Sequence, residues 1–183
     1  MPANPRKEDL RCIKTEKALD IAMFTLLSKR NFRRITVHNI CTAALISRAT
    51  FYAHYTDKYD FLKDWLMRIG PQNLTFYEPY EYIENLINKF MLEHKLIIRN
   101  IVNDATKETL DVLHHVVISF LKLKSRVDTI GSDAKYIIFS NIYGGGIMQY
   151  ILWQMNNNFP ANVPLMNRPL YEIIKKCREL EEE

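Results

Sequence analysis

Two strong helix start signals lie only eleven residues apart in this sequence, and no other feature limits the possible fold as much. Thr36 and Ser47 are both favourable N-cap residues, because a hydroxyl can accept a hydrogen bond from a free backbone N–H at the start of a helix. The sequence predicts one short helix after Thr36 that ends near Ala44, and a second after Ser47 that runs to about Tyr55. The two-residue connection is too tight to let these helices run parallel.

A longer helix before this pair offers a surface on which both can pack. It is predicted to begin near residues 7–11 and to run to about Lys29. Apolar residues recur along it at the i, i+3, i+4 spacing of one buried face: Ala18, Leu19, Ala22, Met23, Leu26 and Leu27. Apolar residues of the short helices can close onto that face: Val37, Ile40, Ala44, Ile46 and Phe51. This arrangement is a helix-turn-helix, whose second helix can enter the major groove of DNA.

The second short helix carries side chains that suit DNA. If Phe51 points into the core, the exposed side or its edges hold Arg48, Ala49, Thr50, Tyr52 and His54. Arg48 offers a fork of donors for guanine or phosphate, and Thr50 has a hydroxyl and a methyl group for base edges. Ala49 allows a close approach, while the side chains of Tyr52 and His54 can reach phosphate oxygens.

A third start signal follows at once. Thr56 or Asp57 is predicted to cap a helix that runs to roughly Arg68. Lys58 stands at the beginning of that helix, where free backbone N–H groups also favour an anion. We therefore expect Lys58 to contact a DNA phosphate.

The sequence resembles the N-terminal domain of TetR-family repressors in three runs: TEKALDIAMFTLL at 15–27, FRRITVHNI at 32–40 and ISRATFYAHYTDK at 46–58. The third run is the most specific, and the similarity is continuous from about Thr15 to Leu62. Position by position, the resemblance implies DNA contacts at Thr36, Ser47, Arg48, Ala49, Thr50, Tyr52, His54 and Lys58. Many members of the family have Gly where this chain has Leu45. A Leu with positive φ is strained there, so the turn either has another geometry or tolerates a cost of about 1 kcal/mol.

The rest of the sequence is also predicted to be helical. Further helices are predicted over about 79–99, 107–124 and 133–156, and a last one after Pro164 or Pro169. The predicted fold is all-α. Gly70 and Pro71 are predicted to mark the boundary between two domains. A helix-turn-helix domain would occupy residues 1–69, including a linking helix from about 57, and a helical bundle would occupy residues 70–183. The resemblance implies that this bundle binds a ligand and dimerises.

The resemblance implies a homodimer through the last two long helices of each subunit. The expected interface residues are Ser140, Gly144, Ile147, Ile151, Met155, Leu170, Ile173, Ile174 and Cys177. Three successive glycines at 144–146 cost roughly 1 kcal/mol each inside a helix relative to Ala. Close packing at the dimer interface can compensate for this cost, and so can a kink that lines a pocket.

Charge and composition support a nucleic-acid partner and argue against other classes. Residues 1–70 hold 13 Lys/Arg against 7 Asp/Glu, whereas residues 71–183 hold 12 against 14. The sequence has no apolar run long enough for a membrane span and no secretory signal, so we expect a cytoplasmic protein. His114 and His115 point about 100° apart on a helix and cannot readily share one metal ion. We expect no metal, no cofactor and no enzymatic activity.

Together with the resemblance, these features predict a ligand-responsive repressor that binds a palindromic operator in double-stranded DNA as a homodimer. The sequence specifies neither the small-molecule effector nor the operator, and it does not distinguish a repressor from an activator. The alternative is a helical co-regulator that keeps the N-terminal fold but acts through a protein partner. Such a protein should have lost the groups that reach phosphate, and here they are present.

Overall fold

The computed structural model describes residues 5–70, 89–123, 145–146 and 148–157, and every regular element among them is helical. The elements are α1 (Pro5–Leu27), a 3-10 helix (Phe32–Arg34), α2 (Val37–Ala44), α3 (Arg48–His54), α4 (Lys58–Ile69), α5 (Lys95–Val102) and α6 (Lys107–Leu123). Residues 89–93 and 148–156 are helical as well. The prediction of an all-α fold is confirmed.

The described residues divide into two compact units. The first unit holds the residues up to Trp65 together with Lys95–Val112, and the second holds Leu66–His94 and the residues from Leu113 onward. The domain boundary expected at residue 70 stays a prediction. The helix expected over 79–99 is interrupted at His94, which forms a turn between the helical residues 89–93 and α5.

The core of the first unit is built on one face of α1. That helix packs against α2 and α5, and α2 packs against α3. Five of the six apolar residues expected on this face are buried, namely Leu19, Ala22, Met23, Leu26 and Leu27. Trp65 of α4 is fully buried, and its ring meets that of Phe24 edge to face with 4.9 Å between the centroids. The periodicity therefore predicted the buried face of α1 correctly.

The two ends of α1 have separate explanations. Pro5 suits the first helical position, because its missing N–H has no intrahelical partner there in any case. At the other end, the Leu27 carbonyl accepts a 2.7 Å hydrogen bond from Asn100 Nδ2 of α5. Just beyond, Asn31 Nδ2 donates to Asp104 Oδ2 at 3.2 Å. These two bonds attach the α5 region to the end of α1.

Leu45 occupies the left-handed turn between α2 and α3, with φ 55° and ψ 39°. Its N–H donates to Thr42 O at 3.3 Å, and the Ile46 N–H donates to Cys41 O at 3.0 Å. This is the Schellman arrangement, in which the left-handed position is usually Gly. The Leu45 side chain is 92% exposed, so no packing compensates for the strain. The chain thus keeps the turn geometry that Gly favours and tolerates the cost.

We expect Leu45→Gly to stabilise the protein by about 0.5–1 kcal/mol. A left-handed residue other than Gly costs roughly 1–2 kcal/mol, and the extra freedom of Gly in the unfolded chain offsets part of the gain. Urea denaturation of the variant and the parent measures the difference. Leu45→Ala is the matched control, because it shortens the side chain but keeps the Cβ that causes the strain. The explanation is wrong if the Gly variant is less stable than the Ala variant.

Candidate nucleic-acid interface

Side-chain caps fix the starts of all three helices that build the interface. Thr36 Oγ1 accepts from Asn39 N at 3.2 Å, and Asn39 Oδ1 accepts from Thr36 N at 3.1 Å, which forms a capping box. Ser47 Oγ accepts from Thr50 N at 2.9 Å. Asp57 Oδ1 accepts from the N–H groups of Tyr59 at 2.7 Å and Asp60 at 2.9 Å. The caps predicted at Thr36 and Ser47 are confirmed, and Asp57 is the cap of α4.

One aromatic residue fixes the orientation of α3. Phe51 is fully buried, and its ring lies 5.6 Å from the Tyr55 ring and 5.9 Å from the Phe61 ring, measured between centroids. Tyr55 is itself buried, and its hydroxyl donates to Asp64 Oδ2 of α4 at 2.8 Å. Because α3 is held by this side, the opposite side faces solvent.

The exposed face of α3 is largely the one expected from the sequence. Arg48, Ala49 and Tyr52 are exposed, while Thr50 and His54 are half-buried at its edges. Ala53 is also exposed and was not predicted, although its position four residues after Ala49 places it on the same face. The two alanines leave room for another molecule to approach this face of the helix closely.

Polar groups on this face are held by their neighbours. The Arg48 guanidinium lies over the Tyr52 ring, 5.9 Å from its centroid. The Thr50 hydroxyl is 2.8 Å from Ser47 Oγ, so the two hydroxyls share one hydrogen bond. The Thr50 methyl group takes no part in that bond. The arrangement offers donors at Arg48, hydroxyls at the start of α3 and an aromatic hydroxyl one turn later.

Lys58 has partners that the sequence did not predict. Its ammonium group donates to three backbone carbonyls of the 3-10 turn: Phe32 O at 3.3 Å, Arg33 O at 3.2 Å and Ile35 O at 2.9 Å. It also lies 4.7 Å from the centre of the Phe32 ring. Burial lowers the pKa of Lys58, and the charge of Asp57 partly offsets this. With its three N–H donors occupied, Lys58 ties α4 to the 3-10 helix in this conformation, and a phosphate contact at this residue stays a prediction.

Most of the expected dimer interface lies outside the described residues, namely Ser140, Gly144, Ile147, Leu170, Ile173, Ile174 and Cys177. Ile151 and Met155 are described, and both are half-buried on the helical run 148–156. At Gly145, an added Cβ would meet no heavy atom of the described residues within 4 Å, apart from its chain neighbours and its own helix backbone. The interface as a whole stays a prediction.

Metal ligands and membrane spans are two other features that would bear on function. The described residues contain no group of three or more His, Cys, Asp or Glu side chains able to hold a metal ion. His114 is half-buried and His115 is exposed. Within the same ranges, no helix has the length and apolar character needed to cross a membrane.

Comparisons with known proteins agree with this architecture. No family model matches the sequence. The chain is 35% identical over 72 residues to the uncharacterized HTH-type transcriptional regulator YxbF of Bacillus subtilis (strain 168). That match covers 37% of this chain and only 19% of the relative.

Two solved structures are similar over almost the whole chain. Lin0861 from Listeria innocua aligns with a TM-score of 0.58 and 23% identity, covering 98% of this chain and 96% of that one. A TetR transcriptional regulator from Streptococcus agalactiae 2603V aligns with a TM-score of 0.52 and 20% identity, covering 93% and 99%. The chain therefore has a TetR-like fold, and the resemblance expected from the three sequence runs is confirmed.

We expect Lys58→Met to lower the free energy of unfolding by about 1–3 kcal/mol. The variant keeps the apolar stem but removes a charged donor from three carbonyls, and a hydrogen bond to a charged group contributes a net stabilisation of roughly 1.5–3 kcal/mol. Lys63→Met in the same helix is the control and should change stability by less than about 0.5 kcal/mol. Urea denaturation of both variants measures the effect. Equal stability of the two would mean that the Lys58 bonds contribute nothing.

Proposed function

We propose that this protein is a sequence-specific DNA-binding regulator of transcription. The observation that carries the proposal is the exposed face of α3, formed by Arg48, Ala49, Tyr52 and Ala53 while Phe51 anchors the opposite side. An isolated helix face with donors and small side chains suits the major groove, which is wide enough to admit an α-helix. The similarity to an HTH-type transcriptional regulator supports the same conclusion.

Base contacts and phosphate contacts fall to different residues in this proposal. Arg48 donates to guanine, and Ala49 and the Thr50 methyl group approach base edges or a thymine methyl. Hydroxyl or imidazole groups at the edges of the face contact phosphates, namely Thr36, Ser47, Tyr52 and His54. Lys58 supports DNA binding indirectly, because its ammonium group holds the backbone of the 3-10 turn in place.

We further propose that the protein acts in the cytoplasm as a ligand-responsive repressor and binds a palindromic operator as a homodimer. A helix-turn-helix reads only a few base pairs, so two copies related by a two-fold axis can read a longer and more specific site. The similarity in fold to a solved TetR transcriptional regulator, which covers 93% of this chain, supports a transcriptional regulator. A small molecule bound in the helical body would change the separation of the two α3 helices and release the DNA.

Base preference tests the role of α3. We expect Arg48→Ala and Thr50→Val to change which duplexes are selected from a random pool, at a cost of about 1–3 kcal/mol for each base contact that the substitution removes in a half-site. Arg99→Ala removes an exposed Arg from α5 and should leave the selected sequence unchanged. If the parent protein selects no sequence, or if both α3 variants select the parent's sequence with the parent's affinity, α3 does not read DNA. The co-regulator that acts through a protein partner would then be the better proposal.

Sedimentation tests the dimer. Ile151→Glu places a charge on a half-buried position of the helical run 148–156, and burying an unpaired charge at an interface is strongly unfavourable. We expect this variant to sediment as a monomer with parental helix content by circular dichroism. Asn156→Glu on an exposed position of the same run should remain dimeric. A dimeric Ile151→Glu protein would show that the interface lies elsewhere.

A further inference from the structure

A second cationic surface lies outside α3, on the turn between α1 and α2. We call it the basic turn and define it by Lys29, Arg30, Arg33 and Arg34. The side chains of all four residues are exposed. Four cations within six residues form the densest positive charge in the described part of the chain.

The charges of the basic turn are not neutralised by nearby acidic groups. None of the four cations forms an ion pair with a carboxylate among the residues that the structure describes. Asp104 does approach this segment, but its carboxylate accepts a hydrogen bond from the Asn31 amide rather than from a cation. The four side chains are therefore free to bind an external anion.

The backbone beneath the basic turn is fixed before any partner arrives. The Lys58 ammonium group donates hydrogen bonds to three backbone carbonyls of the turn. The shortest of these bonds, to Ile35 O, measures 2.9 Å. Phe32 is fully buried at the start of the same 3-10 helix, which also contacts α5. Because Lys58 is positively charged as well, a fifth cation lies directly under the surface. A rigid turn loses less conformational entropy when it binds.

The basic turn also lies close to the proposed DNA-binding surface. Arg34 precedes Thr36, the cap of α2, by two residues, so their Cα atoms are at most about 7.6 Å apart. In a helix-turn-helix, the first helix of the pair crosses the DNA backbone while the second enters the groove. Arginines beside the start of α2 therefore fall near the phosphates that flank the groove.

We infer that the basic turn is a phosphate-binding surface that extends the DNA contact beyond the base pairs facing α3. This inference rests on the proposed function. The guanidinium groups of Arg33 and Arg34 match the geometry of a phosphodiester, with which Arg forms two parallel hydrogen bonds. Phosphates carry no sequence information, so the basic turn contributes affinity and register but leaves base preference to α3.

A salt titration of duplex affinity tests this surface. In Arg33→Gln/Arg34→Gln, the slope of log K against log salt should become shallower by about 0.9 for each phosphate that the protein no longer neutralises, or roughly two units per half-site. Affinity should fall by the same factor for the selected sequence and for a random duplex, with base preference unchanged. Arg33→Lys/Arg34→Lys keeps the charges and should retain most of the slope. Arg99→Gln/Lys107→Gln removes the same net charge from exposed positions on α5 and α6 and should leave the slope at the parent value.

The outcomes separate this inference from the proposed function. If the parent binds DNA and Arg33→Gln/Arg34→Gln keeps the parent slope, the inference is overturned and the proposed function stands. If the basic-turn pair and the control pair lower the slope equally, only net charge matters, and the inference is again overturned. If the parent binds no duplex at low salt, the proposed function fails first and the inference fails with it. Circular dichroism of each variant confirms that its fold is retained.

Discussion

Burial of the Phe51 side chain is the interaction on which the rest of the interface depends. The ring is fully buried beside Tyr55 and Phe61, so α3 can expose only the opposite face. Fully burying a Phe side chain contributes about 1.5–3 kcal/mol, which is large for a helix of seven residues. An isolated helix of that length is unstable in water. The identity and direction of the exposed residues are therefore consequences of core packing, while Ser47 and the Leu45 turn set where α3 begins.

Two unfavourable features accompany this arrangement, and each has a visible compensation. Leu45 holds a left-handed backbone without packing its side chain, but the turn satisfies carbonyls at the end of α2. Lys58 is partly desolvated, which lowers its pKa, but its ammonium group donates to three backbone carbonyls between Phe32 and Ile35. Both features join neighbouring helical elements within residues 32–69. Both unfavourable features therefore occur at positions that fix how α2, α3 and α4 are placed relative to one another.

Local features of residues 5–70 could be predicted from the sequence, and long-range contacts could not. The bounds of α2 follow from Thr36 and the turn that ends it, because caps act within one helical turn. The partners of Lys58 lie 23 to 26 residues away, so their position depends on tertiary packing. The bond from Asn100 to Leu27 O spans 73 residues, and nothing in the local pattern indicates it.

Guanine methylation interference tests the central claim most directly, since methylation at N7 blocks the major-groove edge that an Arg on α3 would read. Duplexes selected by the protein are sparsely methylated, bound and free fractions are separated, and the modified positions are mapped. We expect the bound DNA to lack methylated guanine at two clusters, separated by about 10 base pairs or by a multiple of 10. In Arg48→Ala, methylation at one guanine of each cluster should no longer interfere with binding. Methylation spread equally over bound and free DNA would contradict the claim that α3 enters the major groove.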